Sequence, residues 1–324
     1  MNLPPRLPFA HLPTPLEPLP RLSARLGGPE LWIKRDDQTG LATGGNKTRK
    51  LEFLMADALA HEAETVITTG APQSNHCRQT AAAAARYGLG CVLVLTGDDP
   101  GEVSGNILLD HLLGARLVFT AGRVREAVME EIAESERSAR RIPYLIPVGG
   151  SVPLGAAAYA LAMTELQTQM EAAGQRFDRI VFASGSGGTQ AGLVAGAVLT
   201  GFRGQILGIS ISQEPAKLQS NVAVLATATM DLLGRPHSFS TEEIRLNANF
   251  LGEGYAVVGQ AEREAIELFA QNEGVLLDPV YTGRAAAGLI GLIRQGAIGR
   301  DEHVLFWHTG GTPGLFAFAD DLVG

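Results

Sequence analysis

Gly44-Gly45-Asn46-Lys47-Thr48-Arg49-Lys50-Leu51-Glu52 puts a lysine just after a glycine pair, where a loop turns into a helix. Upstream, Leu31-Trp32-Ile33-Lys34-Arg35-Asp36-Asp37 reads as a strand that ends in charge. Downstream, Leu51, Leu54, Met55 and Leu59 recur at helical spacing, so a helix is expected to start near Asn46 or Lys47. Glycines at such a junction let the backbone approach a bound group, and first-turn amides point at any anion docked on them. A lysine held there can form a Schiff base with an aldehyde cofactor once burial or neighbouring cations lower its pKa. Taken alone, a lysine at a helix start is more often solvated; other segments must give it a purpose.

The composition bounds that purpose. A chain of 324 residues with 45 % hydrophobic content supplies one large or two medium domains. Net charge is −8 and the 26 basic residues are scattered, so nothing favours nucleic acid or an anionic membrane as a partner. Cys77 and Cys91 cannot make a disulfide framework and fit a reducing cytoplasm. No secretory signal and no apolar run of roughly 20 residues is evident, so a soluble cytoplasmic protein is expected.

Most informative are the 39 glycines, which are aperiodic and cluster where strands end: Gly70, Gly149-Gly150, Gly185 to Gly188 and Gly310-Gly311. Short apolar runs read as buried parallel strands at 65–69, 91–95, 117–119, 144–146, 180–183, 206–211 and 304–307. Helical patterns lie between them at 78–87, 107–113, 124–141, 155–172, 190–199, 260–272 and 285–295. The alternation predicts right-handed β-α-β units, an α/β fold with mostly parallel sheets, and a ligand at the carboxyl ends of the strands. A smaller unit at residues 49–155 is expected to be inserted in a larger one made of 1–48 and 156–324, with the ligand in the cleft between them.

Three more segments bear on the chemistry. In Ser74-Asn75-His76-Cys77-Arg78, a hydroxyl and backbone amides at a helix start suit a small carboxylate, although Ser and Asn there are also ordinary caps. Ala183-Ser184-Gly185-Ser186-Gly187-Gly188-Thr189-Gln190 forms a nest of amides ahead of a helix, suited to a phosphate monoester. It is no Walker loop, because no Gly-Lys-Ser/Thr closes it; the third glycine of a dinucleotide fingerprint is replaced by Gln190. Nor is it a nucleophile elbow, since Ser184 stands two residues before Ser186. The last segment pairs Asp278-Pro279-Val280-Tyr281-Thr282-Gly283-Arg284 with Trp307-His308-Thr309-Gly310-Gly311-Thr312-Pro313. No two of the seven histidines are spaced i, i+4 and the cysteines lack CxxC spacing, so no metal is expected.

In this order the segments resemble the fold-type II pyridoxal-phosphate enzymes (the tryptophan synthase beta-like fold), specifically the group of 1-aminocyclopropane-1-carboxylate deaminases and D-cysteine desulfhydrases. GGNK-x-RKLE, QSNH and SGSGGT carry the resemblance, which spans almost the whole chain. Within the group it points to the desulfhydrases: Thr282 follows Tyr281 where the deaminases carry Glu, and Thr309 follows His308 where they carry Leu. Arg284 in place of the usual Lys, and Cys77 in place of a small Thr or Val, depart from the pattern. L-cysteate sulfo-lyases share most of these motifs. A non-enzymatic small-ligand or nucleotide-binding α/β module is the reading from another class.

The resemblance implies that Lys47 holds pyridoxal 5'-phosphate covalently, with the phosphate on Gly185, Ser186, Gly187, Gly188 and Thr189 and near Lys50. It implies Asn75 on the ring oxygen and Thr309 on the ring nitrogen. Substrate would meet Ser74, Asn75, His76, Tyr255, Tyr281 and Thr282, with Lys47, Ser74, Tyr255 and Tyr281 in catalysis. A homodimer is the implied assembly.

Overall fold

Ten strands among the described residues divide between two separate sheets; the computed structural model describes residues 3–211 and 214–323. In chain order they are β1 (Leu16–Pro18), β2 (Glu30–Arg35), β3 (Thr65–Gly70), β4 (Gly90–Leu95), β5 (Arg116–Phe119), β6 (Pro143–Ile146), β7 (Arg179–Ser184), β8 (Gln205–Ser210), β9 (Arg245–Asn247) and β10 (His303–His308). The larger sheet runs β1-β2-β10-β7-β8-β9 and the smaller β5-β4-β3-β6. Every pairing is parallel except that of β1 with β2. The helices are α1 (Pro20–Leu26), α2 (Asn46–Ala60), α3 (Asn75–Arg86), α4 (Gly105–Leu112), α5 (Arg125–Ser138), α6 (Pro153–Ala173), α7 (Gly188–Thr200), α8 (Pro215–Leu232), α9 (Gln260–Glu273), α10 (Thr282–Arg294) and α11 (Ala319–Val323).

Both sheets are covered on two faces, which is why their strands read as continuous apolar runs. On one side of the larger sheet Ile33, Val181, Ile209 and Phe306 pack against α9 and α10 through Phe269, Leu289 and Ile290. On the other, Ile180, Phe182, Leu305 and Trp307 meet Tyr159 and Met163 of α6 and Leu193 of α7. In the smaller sheet Val66 and Ile146 pack against Leu51, Leu54 and Met55 of α2, while Ile67, Val92 and Val94 meet Val128 and Met129 of α5. Each such fully buried side chain contributes ~1.5–3 kcal/mol. Among the described residues no helix is long and apolar enough to cross a membrane.

All eight expected strands, the one near residues 31–37 forming β2, and all seven expected helices are present, along with the helix at Asn46, but several helices begin earlier than their apolar pattern. The α3 helix opens at Asn75 rather than at 78 because Ser74 Oγ accepts the Cys77 amide at 3.2 Å and caps it. Likewise α10 starts at Thr282 because the Asp278 carboxylate accepts the amides of Tyr281 at 2.9 Å and Thr282 at 2.8 Å. The α8 helix was not anticipated, although Leu218, Val222, Ala226 and Met230 bury one stripe at four-residue spacing. Short α1 and edge strands β1 and β9, of seven and three residues, carry too few buried positions to show a period.

The helix that carries Lys47 bridges the two sheets. Its apolar face lies on the smaller sheet, while its first amide, that of Asn46, donates to Thr309 O at 2.9 Å just past β10 of the larger. Beneath its first turn Arg49 is buried. Its guanidinium donates to Asp36 Oδ1 at 2.8 Å and Oδ2 at 2.9 Å, and to Glu165 Oε2 of α6 at 2.8 Å. Lys34 at the end of β2 reaches the same Glu165 at 2.5 Å. The charges closing the second strand therefore anchor the start of α2.

Candidate active site

A cavity of about 320 Å³ opens where the carboxyl ends of β3, β7 and β10 meet the start of α2. Lys47 enters it from one side, its Nζ donating to Asn46 Oδ1 at 3.0 Å. Loss of water pushes the Lys47 pKa down to about 8; the Asp278 carboxylate opposes the shift and the Arg78 guanidinium adds to it. An amine so tuned is partly neutral near physiological pH and can serve as nucleophile and base.

Gly185, Ser186, Gly187 and Thr189 form the facing wall, at the start of α7. The surroundings are shaped for a tetrahedral anion. A Cβ at Gly188 would lie 2.6 Å from Ser151 Oγ and 2.8 Å from Lys50 Nζ, and one at Gly149 would lie 2.2 Å from Ser186 Oγ. Lys50 does not line the cavity: it sits buried behind this loop and donates to Gly149 O at 3.0 Å. Burial, and then the nearby Lys47 charge, hold its pKa well below that of an ordinary lysine. An anion arriving at the α7 N-terminus would restore that charge. Gly188 also differs from expectation, because its amide donates to Ser151 Oγ at 3.2 Å and leaves the cavity wall to its neighbours. Thr189 Oγ1 accepts from Asn46 Nδ2 at 3.0 Å, so its proton is free for an anion. Thr189→Val removes that donor, worth roughly 1.5–3 kcal/mol toward a charged group. The variant should release cofactor roughly ten- to a hundredfold more readily on dialysis, with retention at the wild-type level refuting the contact.

Ser74, Asn75 and His76 line the cavity at the start of α3. Asn75 Oδ1 already accepts from Arg78 at 3.2 Å and Asn106 at 2.9 Å, which leaves Nδ2 as the donor offered to a ligand oxygen. His76 can offer its backbone amide but not its ring. Thr68 Oγ1 donates to Ile146 O at 2.7 Å, so the 2.8 Å contact with His76 Nε2 is donated by the imidazole. Its Nδ1 is then a bare acceptor, and burial followed by Lys47 and Lys50 keeps the ring neutral. The ring cannot donate to a carboxylate; the His76 backbone amide, in the first turn of α3, can.

Tyr255 and Tyr281 close the cavity as a pair, their hydroxyls 2.9 Å apart and their rings edge to face. The surrounding protein pushes both phenols above the usual tyrosine value, buried Tyr281 well above it and Tyr255, 38 % exposed, less so, and both are neutral hydroxyls. Thr309 lines the floor, 7 % exposed, at the end of β10. Thr282 does not reach the cavity: it is fully buried and its hydroxyl donates to Asp278 Oδ1 at 2.8 Å. A helix-start threonine turns back on its own cap, which a motif alone does not reveal. Asp278 is a carboxylate close to Tyr281. It is buried there, but both oxygens are taken up by the amides of Val280, Tyr281 and Thr282 and the Thr282 hydroxyl. Among the described residues, none lining the cavity is acidic.

Asn46 and Arg125 were not foreseen as lining residues. Asn46 stands inside the motif and its position beside Lys47 was the available signal. Arg125, at the start of α5, carries none: only the fold brings it to the mouth.

The sequence profile of the pyridoxal-phosphate dependent enzymes matches residues 7–310. The chain belongs to that family. Its cofactor is pyridoxal 5'-phosphate, and the amine, the glycine cradle with Lys50 behind it and the Asn75 donor fit that molecule. A D-cysteine desulfhydrase of Salmonella typhimurium is 44 % identical over 97 % of this chain and 96 % of its own length. A putative 1-aminocyclopropane-1-carboxylate deaminase of Pyrococcus abyssi is 41 % identical over 98 % of this chain and 95 % of its own. The crystal structure of a homologue of the latter deaminases superposes with a TM-score of 0.91 at 38 % identity, covering 99 % of this chain and 96 % of that one. This pyridoxal-phosphate enzyme therefore has the type II fold, and its near relatives carry two different names.

Proposed function

We propose that this enzyme is a D-cysteine desulfhydrase, converting D-cysteine and water to pyruvate, ammonia and hydrogen sulfide. One observation carries the choice: the tyrosine hydroxyl pair faces a cavity whose described lining holds no carboxylate, the nearby Asp278 being committed to its helix cap. Bound pyridoxal phosphate supplies an electron sink for the pair left when the Cα proton departs. The Thr309 hydroxyl, rather than a carboxylate, would meet the ring nitrogen and leave it neutral, a weaker sink that would suit a substrate with a good leaving group such as thiolate. Opening a cyclopropane ring asks for more.

The chain's own groups have distinct tasks in this reading. The substrate carboxylate rests on the Ser74 hydroxyl and the Asn75 and His76 amides at the α3 N-terminus. Lys47 Nζ, once free, takes the Cα proton and holds it. The Tyr255–Tyr281 pair donates to the departing sulfur. Thr282 acts only through the cap that sets Tyr281.

The test is a parallel assay of D-cysteine, L-cysteine, L-cysteate and 1-aminocyclopropane-1-carboxylate, scoring sulfide, sulfite, pyruvate and 2-oxobutanoate. D-cysteine should be fastest and the cyclopropane acid should give little 2-oxobutanoate. Faster turnover of the cyclopropane acid would overturn the neutral-ring argument; faster sulfite release would make the enzyme an L-cysteate sulfo-lyase.

Residues 49–155 are proposed as a smaller unit inserted in the larger one, a division supported by the four strands of the second sheet falling between 65 and 146. The enzyme is proposed to work as a cytoplasmic homodimer through the larger unit, in line with two-fold assembly being the commonest kind and with two buried free thiols. A monomer mass by light scattering at micromolar concentration would refute the dimer.

A further inference from the structure

Arg284 lies in the first turn of α10, three residues beyond Tyr281, and is fully buried. Its Nε donates to Glu262 Oε1 at 2.7 Å, and Glu262 is itself 3 % exposed. The remaining nitrogens reach three backbone carbonyls from two other parts of the chain: Ile211 at 3.1 Å, Gly254 at 2.8 Å and Val257 at 2.8 Å. Ile211 follows β8 and lines the cavity. Gly254 and Val257 flank Tyr255 in the irregular stretch between β9 and α9. That stretch has little else to fix its shape, with Gly254 at φ 140° and Ala256 in the left-handed region at φ 61°.

We infer that Arg284 is a positioning residue for the reaction, acting through Tyr255. One guanidinium holds the carbonyls on both sides of Tyr255 while standing one helical turn from Tyr281, so it fixes the two halves of the hydroxyl pair relative to each other. Only an arginine offers a planar fork of five donors. A lysine keeps the charge opposite Glu262 but has three donors for four acceptors. The second glutamate oxygen accepts the Gly259 amide at 3.1 Å, which ties the same ion pair to the start of α9. The inference rests on the tyrosine pair facing substrate, as read above.

Arg284→Lys, Tyr255→Phe and the double variant form the test, made as cofactor-loaded enzyme and assayed with whichever amino acid is turned over best. Each single change should lower kcat/KM roughly ten- to a hundredfold, the range expected for a displaced contact group. The double variant should be no worse than the weaker single within about threefold, because two changes acting through one contact do not multiply. Amide hydrogen exchange over residues 252–258 should quicken in Arg284→Lys while the visible cofactor band stays at wild-type intensity. Should Arg284→Lys not fold, Glu262→Gln takes its place in the cycle and in the exchange measurement. Multiplying effects, an unchanged kcat/KM in either single variant, or unchanged exchange at 252–258 would each overturn the assignment. A different preferred amino acid would displace the D-cysteine reading and leave this result legible.

Discussion

Lys47→Ala should give a folded, colourless protein whose elimination activity is at least about 10³-fold below wild type, since base and covalent anchor are removed together. The fold should persist because the Lys47 amine faces the cavity and its hydrogen bond goes to the adjacent Asn46, outside every core cluster. Absorbance near the visible cofactor band, circular dichroism and pyruvate release check the three parts. Retained turnover would move the catalytic lysine elsewhere, and Lys50, buried behind the glycine loop, would be the candidate to examine. The same amine sets a pH dependence in the wild-type protein. Only the neutral amine captures an aldehyde, and burial pushes its pKa down to about 8 from the ordinary lysine value of 10.5. Cofactor uptake by the apoenzyme should therefore rise through about pH 8 and level off above it. A rise centred near 10 would mean that burial does not tune Lys47.

Arg49→Ala should be the most destabilising substitution near the site, costing about 3–5 kcal/mol, because it leaves buried Asp36 with its main counter-charge removed. Lys34 remains beside Glu165, so that carboxylate keeps one partner. Burial alone would raise the Asp36 pKa, yet Arg49, Lys34 and the Tyr159 hydroxyl hold it down at about 2. A carboxylate depressed on folding stabilises the native state above its unfolded pKa of ~3.9 and loses that contribution as pH falls through the folded value. For Asp36 this is on the order of 2 kcal/mol, lost between about pH 4 and pH 2. In Arg49→Ala the acid-unfolding midpoint should move upward. Urea unfolding at pH 7 and an acid titration followed by circular dichroism read both effects; stability within 1 kcal/mol of wild type would show that the network is dispensable. Because the network carries the first turn of α2, cofactor retention should fall with it.

The amino-acid sequence by itself determined the layered architecture, the lysine and the glycine loop. Those features are local: a buried parallel strand must be apolar along its whole length, and a loop that approaches an anion must be free of Cβ atoms. The positions at 65–70, 90–95, 179–184 and 303–308 are legible for that reason. What only the tertiary structure decided is where hydrogen-bonding capacity is already committed. Thr282 and Asp278 look available in the chain, but each satisfies the other at the start of α10. The chain leaves open which way the His76 ring bonds, and the fold settles it because Thr68, brought from β3, takes its only ring proton. Arg284 reads as one more basic residue after a tyrosine, and becomes a clamp only when Ile211, Gly254, Val257 and Glu262 converge on it from positions 22 to 73 residues away. Polar side chains are directional and saturable, so their roles depend on which partners the fold delivers, whereas apolar burial depends on pattern alone.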